Sequence, residues 1–360
     1  MDQKLRNKIA ERKKEGTLRS LSSFTDSIDF FSNDYLGLSR VEIPMDENRF
    51  GATGSRLISG TSNEALQAES SLAKFFNAEA GLIFNSGYDA NLGFFSAVPQ
   101  RGDVILFDQL IHASVRDGIR LSFASSRSFL HNDLNDLESQ LIKSKGTIYV
   151  AVESLYSMDG DISPLVELSR LCEEYNAYLI VDEAHAAGVF GMDGKGLVEE
   201  LGISSSVFAR LITFGKAFGS HGAIVLCSNE LKEYLYNFSR SFIYTTALPP
   251  FSYTRMEFIV EYSDIEYRIK TLQENIKLFR SKFNKDALIS DDRSPIQIIK
   301  GSIEEVRSLE ASLINQRISV KAIYAPTVLK GGERLRVCIH SFNSSDEIQA
   351  LLNNFNKIHK

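Results

Sequence analysis

Six short runs of almost wholly apolar residues recur through the middle of the chain, and they constrain its fold more than any other feature. The runs lack the alternation of apolar and polar residues that marks a strand with one face in water. They indicate strands buried on both faces, as in a mostly parallel sheet that helices cover on both sides. The runs are 81–84, 103–107, 147–152, 177–181, 209–214 and 223–227, with helical patterns such as 163–175 and 229–242 between them. We therefore predict α/β architecture.

The pattern changes twice along the 360 residues, and the changes suggest three parts. Residues 1–48 predict a polar helix and a short strand, and residues 49–255 contain the apolar runs. Residues 256–360 predict a linking helix and a small α+β domain. The linking helix belongs to one long helical stretch, about 251–284, that follows Pro249-Pro250. This length suits one large domain or two closely packed ones.

Composition excludes several classes of function. The net charge is −6 and no basic stripe is present, which argues against nucleic acid as a partner. The three cysteines lie far apart, so neither a zinc site nor a disulfide framework is expected. The N-terminus lacks the apolar core of a signal peptide, and no apolar run is long enough for a membrane span. We expect a soluble, cytoplasmic protein without a metal.

Lys216 follows the run 209–214 and has Gly215 and Gly219 as near neighbours. Small neighbours leave room for a bulky group, and burial lowers the pKa of a lysine so that a neutral amine is available for a Schiff base. Taken alone, this pattern also fits a plain turn.

Asp182 and His185 follow another apolar run, at the end of a strand where open α/β sheets bind ligands. A carboxylate at this place suits the ring nitrogen of pyridoxal 5′-phosphate (PLP). Both residues also fit structural roles at a strand end. The letters Asp-Glu-Ala-His resemble a helicase box, but the chain lacks the phosphate-binding loop that this reading requires.

Four further patterns carry polar groups, and each one alone also fits a structural role. Gly87 and Tyr88 lie in a strand-to-helix turn that suits a phosphate, and His112 follows the next run, where it can stack on a planar ring. Ser157 and Glu153 leave the end of a third strand. Arg334 and Arg336 alternate on one strand face, which suits a carboxylate.

Taken in order, these motifs resemble the α-oxoamine synthases, a group of fold-type I PLP-dependent enzymes related to the aminotransferases. The resemblance covers nearly the whole chain. It depends on the segments 33–38, 54–60, 157–161, 182–185, 213–216, 244–250 and 326–336. It implies a seven-stranded, mostly parallel sheet domain that binds PLP, a small C-terminal α+β domain, and a homodimer with shared active sites.

The resemblance also implies a role for each matching residue. Lys216 would hold PLP as a Schiff base and then remove the Cα proton of the amino acid. Asp182 would pair with the ring nitrogen and His185 with the phenolic oxygen, while His112 would stack on the ring. The further cofactor contacts would be Gly87, Tyr88, Ser157, Thr213 and, from the neighbouring subunit, Thr246; the substrate contacts would be Arg19, His112, Thr327 and Arg336.

The reaction that the resemblance implies is a decarboxylating condensation of an amino acid with an acyl thioester, carried by coenzyme A or a carrier protein. We favour L-alanine and a pimeloyl thioester, as in biotin synthesis. Glycine with acetyl-CoA and serine with a palmitoyl thioester are the alternatives within the family. A binding protein without catalysis is the alternative outside it, and the presence of Lys216 and Asp182 argues against it.

Overall fold

The computed structural model describes residues 2–15, 17–18, 21, 26–43, 50–283, 288–325, 327–328 and 331–355. The α-helices in these ranges are α1 (Gln3–Lys14), α2 (Asn63–Phe75), α3 (Gly87–Ala97), α4 (Ala113–Leu121), α5 (Leu134–Lys143), α6 (Leu165–Glu174), α7 (Leu197–Glu200), α8 (Asn229–Phe238), α9 (Arg240–Ile243), α10 (Pro250–Val260), α11 (Ile265–Lys282), α12 (Ile303–Asn315) and α13 (Ser345–Phe355). The strands are β1 (Ile28–Asp29), β2 (Ala80–Phe84), β3 (Val104–Asp108), β4 (Ser125–Phe129), β5 (Ile148–Glu153), β6 (Tyr178–Asp182), β7 (Ala209–Thr213), β8 (Ala223–Cys227), β9 (Ile296–Lys300), β10 (Ile318–Ser319), β11 (Lys321–Ile323) and β12 (Arg334–Cys338).

The central sheet has seven strands in the order β2-β8-β7-β6-β5-β3-β4, and β8 is antiparallel to both of its neighbours. The other adjacent pairs are parallel. Two apolar cores, one on each face, bury its central strands almost completely. The prediction of a mostly parallel sheet covered on both sides is therefore confirmed.

The seventh strand, β4, has no counterpart among the six apolar runs. Its sequence is Ser-Ser-Arg-Ser-Phe, and every residue except Phe129 is exposed. It lies at the edge of the sheet, next to β3. An edge strand with little burial needs no apolar run, so hydrophobic patterning could not reveal it.

The prediction of one long helix over 251–284 is wrong. The structure divides it into α10 and α11, which are separated at Glu261–Asp264. The apolar residues of both helices continue into one core, and this continuity mimics a single helix in the sequence. The helix expected over 229–242 is likewise interrupted, because Ser239 is extended between α8 and α9.

A second, antiparallel sheet is formed by β11, β12 and β9 in that order, and α12 and α13 accompany it. Strand β1 pairs in parallel with β10, so residues near the N-terminus join the C-terminal part of the molecule. The boundaries at residues 48 and 255 stay a prediction.

The sheet topology brings distant polar residues to one edge. Strands β3, β5, β6 and β7 are parallel, and β2 has the same direction because two antiparallel pairings through β8 restore it. Gly87 follows the end of β2, and the other strands end at Asp108, Glu153, Asp182 and Thr213. Ligands of open α/β sheets bind at this carboxyl edge.

Candidate active site

Lys216 lies in the turn that follows β7. The turn packs against the segment around Ser39, and Gly219 has a positive φ of 54° there; a side chain at Gly219 would collide with the backbone of Ser39. The Lys216 Nζ atom is 2.9 Å from His185 Nε2. Burial lowers the pKa of Lys216 to about 8, so about a tenth of the side chains carry a neutral amine at pH 7.

A directional chain of hydrogen bonds starts at this lysine. Burial and the nearby Lys216 lower the pKa of His185, so the ring is neutral and carries one N–H. Because Lys216 donates to Nε2, that N–H is on Nδ1 and faces Tyr35 Oη at 2.8 Å. The Tyr35 hydroxyl then donates to Asn33 Oδ1 at 3.1 Å, and Arg336 Nη2 donates to the same oxygen at 2.9 Å.

Asp182 is buried at the end of β6. Its two carboxylate oxygens accept hydrogen bonds from the Asn91 side chain at 2.7 Å and from the backbone N–H of Ala184 at 2.9 Å. Within the described ranges, no cation lies within ion-pair distance of this carboxylate. A buried carboxylate that has only neutral donors suits a cationic ring nitrogen as its missing partner.

His112 is the N-cap residue of α4, where its ring accepts a hydrogen bond from the Ser114 N–H. His112 as a whole is exposed at the carboxyl edge, which suits a role in stacking on a planar ring. Partial burial and the positive charge of Lys216 lower the pKa of His112, while Asp182 acts in the opposite direction. The ring is therefore neutral at neutral pH.

The first turn of α3 is a candidate cradle for an anion. Gly87 opens this eleven-residue helix, where backbone N–H groups lack partners within the helix. A Cβ atom at Gly87 would lie 3.5 Å from Thr213 Cβ, so the helix start and the end of β7 are close together. Tyr88 is next in sequence, and its hydroxyl donates to Asp117 at 2.5 Å.

Arg336 and Arg334 are both buried, which excludes the alternative of a solvated strand face. Arg336 Nε donates to the carbonyl of Ser157 at 2.8 Å, so these two predicted site residues are in contact. Arg334 is directed away to the carbonyl of Met158 and to Asp159. Only Arg336 of the two contributes to the electrostatics of Lys216 and His185.

Glu153 is fully enclosed beneath these groups. Burial raises the pKa of its carboxyl group well above the usual range, and the adjacent Asp182 raises it further. Burial and the nearby Asp182 thus both favour the neutral form of the Glu153 carboxyl group. Its carboxyl group accepts a hydrogen bond from the backbone N–H of His112 and so supports the start of α4.

The remaining predicted residues lie outside this centre. Thr246 and Thr327 are exposed, and the carbonyl of Thr246 accepts a hydrogen bond from Asn85, two residues before Gly87. Arg19 lies outside the described residues. Tyr35, Asn33, Asn91 and Ser114 received no role from the sequence, because their contacts join segments that no local pattern connects.

The aminotransferase class I and II family model matches residues 25–355 of the chain. The chain belongs to this family. Its members depend on PLP, so the predicted cofactor and the fold-type I class are confirmed.

No group of three or more His, Cys, Asp or Glu side chains is placed to hold a metal ion in the described part of the chain. Nor does any described helix have the length and apolar character to cross a membrane.

Relatives place the chain within the α-oxoamine synthases of this family. It is 39% identical to the 8-amino-7-oxononanoate synthase of Emericella nidulans, over 97% of this chain and 93% of the relative. It is 34% identical to the enzyme of that name from Lysinibacillus sphaericus, over 100% and 99%.

Solved structures support the same group. The 8-amino-7-oxononanoate synthase of Francisella tularensis is 32% identical with a TM-score of 0.77, and the match covers 92% of this chain and 97% of that one. Sphingomonas wittichii serine palmitoyltransferase is 27% identical with a TM-score of 0.91, over 99% and 97%. The TM-score is higher for the serine palmitoyltransferase, whereas the sequence identity is higher for the 8-amino-7-oxononanoate synthase.

The residues at the carboxyl edge fit PLP on the structural evidence alone. The amine of lowered pKa suits the aldehyde of PLP, and the buried carboxylate without a cation suits its ring nitrogen. The accessible imidazole suits the ring face, and the helix start beside Thr213 suits the phosphate. The individual residue assignments stay predictions.

Proposed function

We propose that the protein condenses L-alanine with a pimeloyl thioester to give 8-amino-7-oxononanoate, CO2 and the free thiol, a step of biotin synthesis. The observation that carries the reaction class is the amine of Lys216, held 2.9 Å from His185 at the same sheet edge as the buried Asp182. The choice of substrates is supported by the names of relatives that are 34–39% identical over nearly the whole chain.

PLP, when bound, supplies an electron-withdrawing ring that stabilises negative charge on the Cα atom of the amino acid. Asp182 would hold the proton on the ring nitrogen, and His112 would stack on the ring. The N–H groups at the start of α3, together with Thr213, would bind the phosphate. His185 would bind the phenolic oxygen, and Ser157 would add a contact from the loop after β5.

Lys216 has two tasks in this scheme. Its Nζ atom would hold the cofactor, and in the reaction it would take the proton from the Cα atom of alanine. A pKa of about 8 suits a general base at neutral pH. Arg336 binds the alanine carboxylate, and its contacts with Ser157 and Asn33 direct the guanidinium toward the site. By resemblance, Arg19 and Thr327 would also contact the substrate.

The proposal includes a homodimer in which Thr246 binds the phosphate of the neighbouring subunit. Tyr244 and Ile58 are 72% and 84% exposed. They lie on adjacent segments, because Ala247 N donates to the carbonyl of Gly54. This apolar surface adjoins the Gly87 cradle through the contact between Asn85 and Thr246, so a second copy that covers it would reach the site.

A mixing experiment tests the shared site. Lys216→Ala and Thr246→Glu are each expected to be inactive alone. When the two are unfolded and refolded together, one site of each hybrid dimer combines an intact Lys216 with an intact Thr246, and activity should return. Activity that does not return, with hybrids verified by mass, would place Thr246 in its own subunit's site.

The cytoplasmic location stays a prediction.

A paired-substrate assay tests the reaction. The PLP-loaded protein is incubated with L-alanine and pimeloyl-CoA, with glycine and acetyl-CoA, or with L-serine and palmitoyl-CoA, and products are identified by mass. We expect 8-amino-7-oxononanoate from the first pair only. Lys216→Ala should abolish the product, and Lys143→Ala, a change of an exposed lysine on α5, should not. Turnover only with another pair would contradict the proposal.

A further inference from the structure

Asn91 is an asparagine of α3 that is only 2% exposed, and it lies between two residues of the site. Its Nδ2 atom is 2.7 Å from Asp182 Oδ2 and 3.0 Å from Ser114 Oγ. A carboxylate only accepts hydrogen bonds, so the amide nitrogen, not the oxygen, must face Asp182. Both N–H groups are then in use, and Oδ1 has no partner among the described residues.

Ser114 connects Asn91 to His112 through hydrogen bonds to both residues. Since Ser114 Oγ accepts from Asn91, its own proton is free to go to His112 Nδ1, which lies 2.7 Å away. The backbone N–H of Ser114 donates to the same nitrogen at 3.2 Å. A nitrogen that receives two donors carries no proton, so the proton of the neutral ring is on Nε2.

We propose that Asn91 is a positioning residue that joins the carboxylate of Asp182 to the tautomer of His112 through Ser114. One side chain thereby orients the partner of the cofactor's ring nitrogen and the imidazole beside its ring face. The inference rests on the proposed PLP site. It accounts for a buried asparagine that leaves its own carbonyl oxygen unpaired, an arrangement that stability alone does not favour.

The role predicts how substitutions behave. Asn91→Ala removes the donor to Asp182 and frees the Ser114 hydroxyl, and Ser114→Ala breaks the second half of the chain. We expect each to lower kcat with L-alanine about 10- to 100-fold and to shift the absorbance maximum of bound PLP. Ser114→Thr keeps the hydroxyl and should restore most of the rate. Because the contacts form one chain, the double alanine variant should be little worse than either single one.

Asn354→Ala provides a matched control for the loss of a buried asparagine. Asn354 is 4% exposed on α13, and its amide donates to Gln316 and to the carbonyl of Ala350, away from the site. It should reduce stability without a change in kcat or in the spectrum of the cofactor. If Asn91→Ala behaves in the same way as this control, Asn91 is merely structural and the inference is wrong.

The tautomer is measured directly by nitrogen-15 NMR of labelled histidines, with His112→Asn to assign the signal. The native protein should show an unprotonated Nδ1, and Asn91→Ala and Ser114→Ala should show a mixture of tautomers. A protonated Nδ1 in the native protein overturns the inference. The spectrum and the tautomer require no acyl substrate, so an incorrect substrate leaves both tests intact. A protein that binds no PLP would overturn the proposed function, while the tautomer of the cofactor-free protein would still test Asn91.

Discussion

Lys216 Nζ and His185 Nε2 lie 2.9 Å apart, and this contact starts a chain that ends at the predicted carboxylate clamp. From His185 the hydrogen bonds run through Tyr35 and Asn33 to Arg336. Burial raises the pKa of Tyr35, so its hydroxyl keeps its proton at neutral pH. This proton allows Tyr35 to donate onward to Asn33. The amine predicted to hold the cofactor and the guanidinium predicted to bind the substrate therefore belong to one network.

Lys216 should make the stability of the cofactor-free protein depend on pH. The folded pKa of about 8 lies below the ordinary value of 10.5, so the folded state disfavours the charged amine. Below pH 8 this costs roughly 3–4 kcal/mol, and the cost fades as pH rises to about 10.5. Urea unfolding should show Lys216→Met more stable than the native protein at pH 7, with the difference shrinking toward pH 10. Lys143→Met is the control, and a difference that does not change with pH would contradict the lowered pKa.

Borohydride reduction should link PLP to one lysine. The amine of Lys216 is the one that its surroundings make partly neutral at the carboxyl edge, so the cofactor should be attached there. Peptide mass analysis after reduction should find the added mass on the peptide that contains Lys216. Lys143→Ala should retain the modification, and Lys216→Ala should lose it. Modification at another lysine in the native protein would refute the assignment.

Arg336→Lys should raise KM for L-alanine about 10- to 100-fold, because lysine cannot form the paired hydrogen bonds of a guanidinium with a carboxylate. Arg334→Lys is the matched control. It changes an arginine two residues away on the same strand with similar burial, but its contacts are Met158 and Asp159. Steady-state kinetics should show a rise in KM for the first variant only. Equal effects would indicate that Arg336 is structural.

His131 should stabilise the carboxyl edge as a cation between two carboxylates. Its Nδ1 is 3.0 Å from Asp108 and its Nε2 is 2.6 Å from Asp161. Burial lowers the pKa of His131, but the hydrogen bonds with Asp108 and Asp161 outweigh it and raise the pKa to about 10. Replacing one member of such a network leaves unpaired charge, so His131→Gln should cost about 3–5 kcal/mol.

The raised pKa of His131 determines how this stabilisation changes with pH. A folded pKa of about 10 lies above the ordinary value of 6.5, so the stabilisation is complete below pH 6.5 and is lost as pH rises through 10. The difference in unfolding free energy between the native protein and His131→Gln should therefore shrink from pH 6 to pH 10. His221→Gln, at an exposed histidine, should show no such difference. A constant difference would argue against a charged His131.

Parts of the fold and the site were accessible to sequence reasoning for a simple reason. Strands buried on both faces require continuous apolar residues, and parallel strands end at one edge, so the sequence alone predicts that Asp182 and Lys216 lie close together. Strand β4 and the division between α10 and α11 were not. The first has no buried face to mark it, and the second lies within one continuous apolar pattern.

The sequence by itself determined the class of the sheet, the positions of its buried strands and the side chains that follow them, because these depend on local periodicity. Only the tertiary structure decided that Tyr35 contacts His185 across 150 positions, and that Arg336 contacts Asn33 across 303. It also decided that Asn91 joins Asp182 to Ser114. Such contacts arise when separate elements pack together, and packing orients each buried donor toward the acceptor that is within reach.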